Sequence, residues 1–209
     1  VTEPQHEGVF VTVDGPGGAG KSTVTAAVAE QLGALDVPVH ATREPTDTPL
    51  GNLARHGTDT YRGLAMAHLI AADRYQHLTT EIRPALDRGD VVLCDRFIAS
   101  SLVLQRIDSL STDTVWEINR HADQPDLSVI LTADPDVIAR RLTDRGTHSR
   151  YERLPDSSRT EVVLFAEAVE TLAAAGFRTL VLDATSTAPD ELARIITAQV
   201  TALRTGGTP

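Results

Sequence analysis

The sequence predicts an α/β protein in which helices cover both faces of a parallel sheet. Three observations carry that expectation. An apolar run, 9–13, ends in Asp14 and gives way to Gly15-Pro16-Gly17-Gly18-Ala19-Gly20-Lys21-Ser22, after which Val24, Val28 and Leu32 recur at helical spacing. Val91-Val92-Leu93-Cys94 is unbroken apolar sequence between turn signals, the mark of a strand buried on both faces. Short apolar runs then alternate with helix-length stretches to the end of the chain.

The bulk properties narrow the class. With 209 residues, 41% of them hydrophobic, the chain can bury one substantial core, so residues 1–209 are expected to form a single domain. A net charge of −10 argues against a nucleic-acid-binding surface, although a few arginines converging locally can still bind polyphosphates. Cys94 lies in an apolar run and reads as a buried, reduced thiol. No stretch reaches the roughly 18 apolar residues of a membrane span, and residues 1–8 lack the apolar centre of a signal peptide. The expectation is a cytoplasmic protein without a membrane partner. Its seven histidines show no metal-ligand spacing.

Taken in order, the glycines after the first strand let successive backbone N–H groups converge on an anion at the positive end of a helix. In that setting Lys21 reaches the β- and γ-phosphates and Ser22 offers a hydroxyl to Mg²⁺. Lys21 is the only lysine among nineteen basic residues, so a chain that otherwise uses arginine keeps lysine here. Residues Gly15, Pro16, Gly17, Gly18, Ala19, Gly20, Lys21, Ser22 and Thr23 are therefore the expected donor-nucleotide site.

A second strand, 37–42, runs into a loop over 42–51 marked by two prolines and a glycine. Arg43 and Glu44 stand where open α/β sheets hold their ligands. A helical stretch follows over 62–87, with Pro84 expected to bend or end it. Within it, Asp73 and Arg74 by themselves read as a surface pair. The third strand ends at Asp95, placed to hold Mg²⁺ or its water shell, and Arg96 next to it can grip an anion through two hydrogen bonds. Helices over 98–105 and 112–120 and a strand over 126–132 come next. Asp134-Pro135 then caps a helix through 137–142. Arg140, Arg141, Arg145, Arg150 and Arg153 crowd into fourteen residues of an acidic chain. With Gly146 among them and Pro155 after them, they read as a mobile flap over about 145–156 that closes on transferring phosphates. A helix (160–175), a fifth strand (179–182) and a last helix (189–203) complete the alternation, with a frayed tail at 205–209.

Together these motifs resemble the thymidylate kinase family of nucleoside monophosphate kinases. The likeness runs from the phosphate loop through Thr42-Arg43-Glu44-Pro45, Ala71-Ala72-Asp73-Arg74 with Gln76-His77, Arg83-Pro84-Ala85-Leu86 and Asp95-Arg96-Phe97. It continues in Ser100-Ser101 with Gln105, Pro125-Asp126-Leu127, and Arg150-Tyr151-Glu152 in the flap. The resemblance implies a P-loop kinase three-layer fold with a five-stranded parallel sheet and an arginine-bearing LID, ATP and Mg²⁺ as cofactors, and a homodimer. It implies catalytic roles for Lys21, Asp95, Arg96, Arg145 and Arg150, and metal binding by Ser22 and Asp95. It implies an acceptor nucleotide held by Arg43, Glu44, Pro45, Ile70, Arg74, Arg96, Ser100, Ser101 and Gln105, with a cis peptide bond before Pro45. Gly18 stands where one branch of the family carries a loop arginine, which puts the catalytic arginines in the flap.

Other positions depart from the family. Gly17 replaces an acidic residue that reads the sugar 3′-hydroxyl, Thr46-Asp47 replaces Gly-Gly, Ile70 replaces an aromatic that stacks on the base, and Leu104 replaces a tyrosine. The segment 53–64 is also shorter than usual. The resemblance implies phosphorylation of a pyrimidine nucleoside monophosphate, dTMP by default. A CMP-type or modified pyrimidine acceptor, a nucleoside kinase with Glu44 as base, and a nucleotide-binding protein without catalysis stay open.

Overall fold

The computed structural model describes residues 8–147 and 149–206. The leading 1–7, His148 of the flap and 207–209 of the expected frayed tail lie outside the described residues. Five strands, β1 (Val9–Asp14), β2 (Val39–Arg43), β3 (Val91–Asp95), β4 (Leu127–Thr132) and β5 (Thr179–Asp183), form one sheet in the order β2-β3-β1-β4-β5 with every pairing parallel. The expected five-stranded parallel sheet is present.

The continuous apolar runs follow from burial on both faces. Val91 and Leu93 of β3 face one way with Val11, Val13, Val129 and Leu131, against Val24, Val28 and Leu32 of helix α1 (Lys21–Gly33) and Leu192, Ile196 and Val200 of α9 (Pro189–Arg204). Val92 and Cys94 face the other way with Phe10 and Ile130. There they meet α5 (Ile98–Ile107) through Leu102 and α8 (Ser157–Ala174) through Phe165 and Leu172. The edge strands β2 and β5 are only half buried, so their apolar signal is weaker.

Two details depart from expectation. Pro84 neither ends the long helix nor simply bends it. The chain runs through α3 (Gly63–His77), a π turn (Leu78–Ile82) and α4 (Arg83–Asp87), and the Arg83 N–H reaches back to the carbonyl of Leu78. Proline has no N–H for an ordinary helical bond, and a one-residue change of register absorbs the defect. The 42–51 loop also contains the start of a helix, α2 (Pro49–His56), capped by Thr48, whose hydroxyl accepts the Gly51 N–H at 3.2 Å. Threonine followed by proline is an N-cap signature. The remaining helices, α6 (Thr112–Asn119) and α7 (Pro135–Arg145), lie where the pattern places them.

Register then builds the site. Val13 pairs with Asp95, and Asp95 with Arg43, so the phosphate loop and the ends of β3 and β2 stand side by side at the carboxyl edge of the sheet.

Candidate active site

The phosphate loop is shaped by its backbone. Gly15 has φ +146°, and a Cβ there would lie 2.3 Å from the carbonyl oxygen of Leu131, so only glycine fits. No side chain caps the first turn of α1, which leaves its positive end to an anion. Lys21 is buried beneath the loop, and its Nζ donates to the Pro16 carbonyl at 2.8 Å. Burial draws its pKa down to about 7, helped by the charge of Arg96 and opposed by Asp95, Glu161 and Asp14.

Asp95 meets Ser22 directly: the serine hydroxyl donates to Oδ2 at 2.5 Å. The other carboxylate oxygen, Oδ1, is buried without a hydrogen-bond partner among the described residues. A hydroxyl beside a carboxylate with one unspent oxygen is the oxygen donor set that Mg²⁺ prefers. Arg96 follows at φ +75°, left-handed backbone that arginine seldom adopts, held by its N–H to the Val13 carbonyl at 3.0 Å. Such strain persists where the surroundings impose it, and here it turns the chain between the end of β3 and α5. A cleft of about 620 Å³ opens from Ser22 and Asp95 toward Arg43, Thr46, Asp47 and Thr48.

The acceptor side is organised differently from the reading of the sequence. The Glu44–Pro45 peptide is cis, as expected. Arg43 pairs with Asp47 at 2.7 and 2.9 Å on the cleft rim. Asp73 and Arg74 are not a surface pair: each is only 1% exposed. Asp73 accepts from the Thr46 N–H at 2.7 Å and the Thr46 hydroxyl at 2.6 Å, so the threonine standing where the resemblance implies a glycine is tied into the wall. Arg74 donates to Glu44 at 2.8 Å, to the Phe97 carbonyl and the Ser101 hydroxyl at 3.1 Å each, and to Asn119. Its guanidinium also lies 4.9 Å from the centre of the Phe97 ring. The structure thus engages Arg74 and Ser101 inside the wall, and Arg74 braces the wall from behind. Glu44 is equally committed, with His77 on its second oxygen at 3.3 Å. Glu44, His77 and Cys94 bring ligand-type atoms within 4.8 Å of one another, but Cys94 donates to the Arg96 carbonyl at 3.0 Å and burial pushes its pKa up, which keeps it a thiol. Gln105 is buried with its Oε1 unpartnered among the described residues, and Ile70 is half buried.

The flap arginines separate into two groups. Arg145 pairs with Glu152 at 2.9 Å, and Glu152 lies against the phosphate loop, where a Cβ on Gly17 would come within 2.7 Å of its Oε1. Arg150 turns away to Asp108 at 2.5 Å and to the Thr58 carbonyl, with Tyr151 beside it on the same aspartate at 3.2 Å. Arg153 meets Asp59 at 2.5 Å. Arg141 donates to the Ala184 carbonyl at 3.0 Å, and Arg140 is exposed. The structure therefore brings together Lys21, Ser22, Asp95 and Arg96, while Arg150 serves to dock the flap in this state. The Arg145 and Arg153 guanidiniums stay partly open to solvent in their pairs, and an ion pair so placed exchanges readily.

Four residues hold these parts in place, and three of them, Asp108, Asn119 and Glu161, carry no signal in the sequence. Asp73 fixes the loop after β2, and Asn119 takes one arm of Arg74. Asp108 anchors the flap and also accepts the Gly63 N–H at 3.1 Å. Glu161 accepts the Gly17 N–H at 2.8 Å from α8. All four take their meaning from partners distant in sequence, and only Asp73 lies in a local motif, Ala71-Ala72-Asp73-Arg74.

A family model described as thymidylate kinase matches residues 13–196. A probable thymidylate kinase of Pyrococcus abyssi is 36% identical over 162 residues, spanning 73% of this chain and 78% of its own length. The thymidylate kinase of Bacillus velezensis is 38% identical over 152 residues (68% and 72%), and that of Pseudomonas fluorescens 40% identical over 160 residues (70% and 74%).

Proposed function

The chain belongs to the thymidylate kinase family, and from that premise we propose that it transfers the γ-phosphoryl group of ATP to dTMP, giving dTDP and ADP. The observation that carries the reading is the meeting of Lys21, the Ser22–Asp95 pair and Arg96 at one edge of the sheet. The acceptor oxygen of a monophosphate is already largely ionised at neutral pH, so no general base is required. The work is to place two polyanions in line and neutralise the charge between them.

The residues divide that work. The loop from Gly15 to Thr23 cradles the donor phosphates, and Lys21 follows the γ-phosphoryl. Ser22 and Asp95 would hold Mg²⁺, whose charge would offset that of the β- and γ-phosphates. Arg96 takes the acceptor phosphate. Arg43, Pro45, Ser100 and Gln105 line the acceptor side, with Glu44, Arg74 and Ser101 setting the wall behind them. Arg145 exchanges Glu152 for phosphate oxygens as the flap closes on the donor, and Arg150 follows if the flap shifts away from Asp108.

A nucleoside kinase with Glu44 as base is disfavoured, since Arg74 and His77 occupy both of its carboxylate oxygens. An altered pyrimidine acceptor has a specific observation behind it. Ile70 stands where the resemblance implies an aromatic ring, and forfeiting a stack weakens base binding by about 1–3 kcal/mol. A cytoplasmic location and a homodimer are both proposed, the second because Leu53 of α2 and Leu64 of α3 expose large apolar side chains in the single chain. No helix among the described residues is long and apolar enough to cross a membrane. Measuring ADP release with dTMP, dUMP, CMP and the corresponding nucleosides tests the assignment. Turnover on nucleosides but not on monophosphates overturns it.

A further inference from the structure

Asp14 is the last residue of β1, directly before the phosphate loop, and it is fully buried. Its Oδ1 accepts three hydrogen bonds, from the Phe97 N–H at 2.9 Å, the Ser100 N–H at 3.0 Å and the Ser100 hydroxyl at 2.6 Å. The two amides belong to the first turn of α5, whose own N-cap residue, Phe97, supplies no side-chain cap. A carboxylate from another strand therefore caps this helix across the sheet.

The segment it caps begins at Arg96, the residue forced into left-handed backbone. The side chains continue the connection. Arg96 Nη1 lies 3.4 Å from the Ser100 hydroxyl oxygen as its donor, and that hydroxyl donates in turn to Asp14. Since the Ser100 proton is committed to Asp14, its oxygen is left to accept from arginine. The chain Arg96 to Ser100 to Asp14 has one direction, and it ends one bond from Gly15.

We propose that Asp14 is a positioning residue that locks the acceptor-binding arginine, through Ser100 and the first turn of α5, to the strand that carries the phosphate loop. Donor and acceptor sites then share one rigid link, and in-line transfer between two bound nucleotides depends on that register. Burial raises the Asp14 pKa, and the hydrogen bonds from Ser100 and Phe97 and the charge of Arg96 oppose that rise.

This inference rests on the monophosphate kinase reading, and the experiment separates the two. Turnover of dTMP by the unaltered protein tests the reading. Steady-state kinetics of D14A, D14N, S100A and D14A/S100A, with folding monitored by circular dichroism, test the link. D14A is expected to lower kcat/KM for the acceptor by about 10- to 100-fold, with KM for ATP within about twofold of the parent. D14N keeps the accepting oxygen and is expected to recover most of that loss. S100A, which spares the helix amides, is expected to raise the acceptor KM while leaving that for ATP unchanged. The double variant is expected to be no worse than D14A, because both remove one chain. If D14A does not fold, D14N and S100A carry the test alone, D14N then being expected near the parent and S100A impaired for the acceptor. A folded D14A with parental acceptor kinetics, D14N as impaired as D14A, fully additive losses in the double variant, or S100A indistinguishable from the parent would each overturn the proposal.

Discussion

The buried position of Lys21 makes nucleotide binding a proton-linked event. In the free protein its pKa is drawn down to about 7, chiefly by burial. A polyphosphate beside the amine favours the charged form and raises the pKa, so binding above pH 7 must draw a proton from solution. At pH 8 a group of pKa 7 is charged in about one molecule in eleven, which predicts uptake of about 0.9 proton per nucleotide, against about 0.1 at pH 6. The same sign fixes the affinity. Each pH unit above 7 costs about 1.4 kcal/mol of binding, or tenfold in Kd, until the pKa of the complex is reached. Calorimetric titration at pH 8 with an ATP analogue, in buffers of different ionisation enthalpy, reads the uptake directly. At that pH the nucleotide is itself fully ionised. Lys21→Met is expected to bind more weakly and to lose the uptake. Wild-type binding at pH 8 without proton uptake would refute the reasoning, because it would mean that Lys21 is already charged in the free loop.

Other outcomes follow from the same geometry. Gly17→Ala places a methyl 2.7 Å from Glu152 Oε1, so the fold is expected to survive while the flap seats less well. Faster proteolysis within 146–154 and a lower kcat, both relieved by adding Glu152→Ala, are the readouts; parental protease resistance would count against flap docking at Gly17. Asp108→Asn removes the charge that holds Arg150 and Tyr151, and hydrogen exchange across 149–153 is expected to accelerate. Unchanged exchange there would show that the flap is held elsewhere. Arg74→Met leaves Glu44 buried beside an apolar chain and is expected to destabilise the protein by about 3–5 kcal/mol in denaturant unfolding. Full stability with impaired acceptor binding would instead place Arg74 in contact with the ligand.

Much of this was legible because local patterns carry it. The glycine-rich loop needs only its flanking strand and helix to be recognised, and Val91 to Cys94 announce a strand covered on both faces. The limits lay where one helix serves two walls. Asp73 and Arg74 are neighbours in sequence and therefore point about 100° apart around α3. One reaches the loop after β2, and the other reaches Glu44, Asn119 and Ser101. A periodicity that assumes one buried face assigns such a pair to solvent. The arginine cluster was visible as composition, but its division between Glu152 and Asp108 depends on residues that no sequence spacing connects. The Thr48-Pro49 signature stands among turn residues that mask the start of α2. Asp14 read as the end of a strand, and only the folded sheet brings it to α5.

The central claim is that one edge of the sheet joins a phosphate donor to a monophosphate acceptor. Incubating the purified protein with Mg²⁺, ATP labelled at the γ-position and dTMP, and separating the products, tests it most directly. The account predicts label in the β-phosphate of dTDP with equimolar ADP, abolished in Lys21→Ala and Arg96→Ala variants that remain folded. Unlabelled dTMP, with label transferred instead to thymidine when thymidine is supplied in its place, would contradict it.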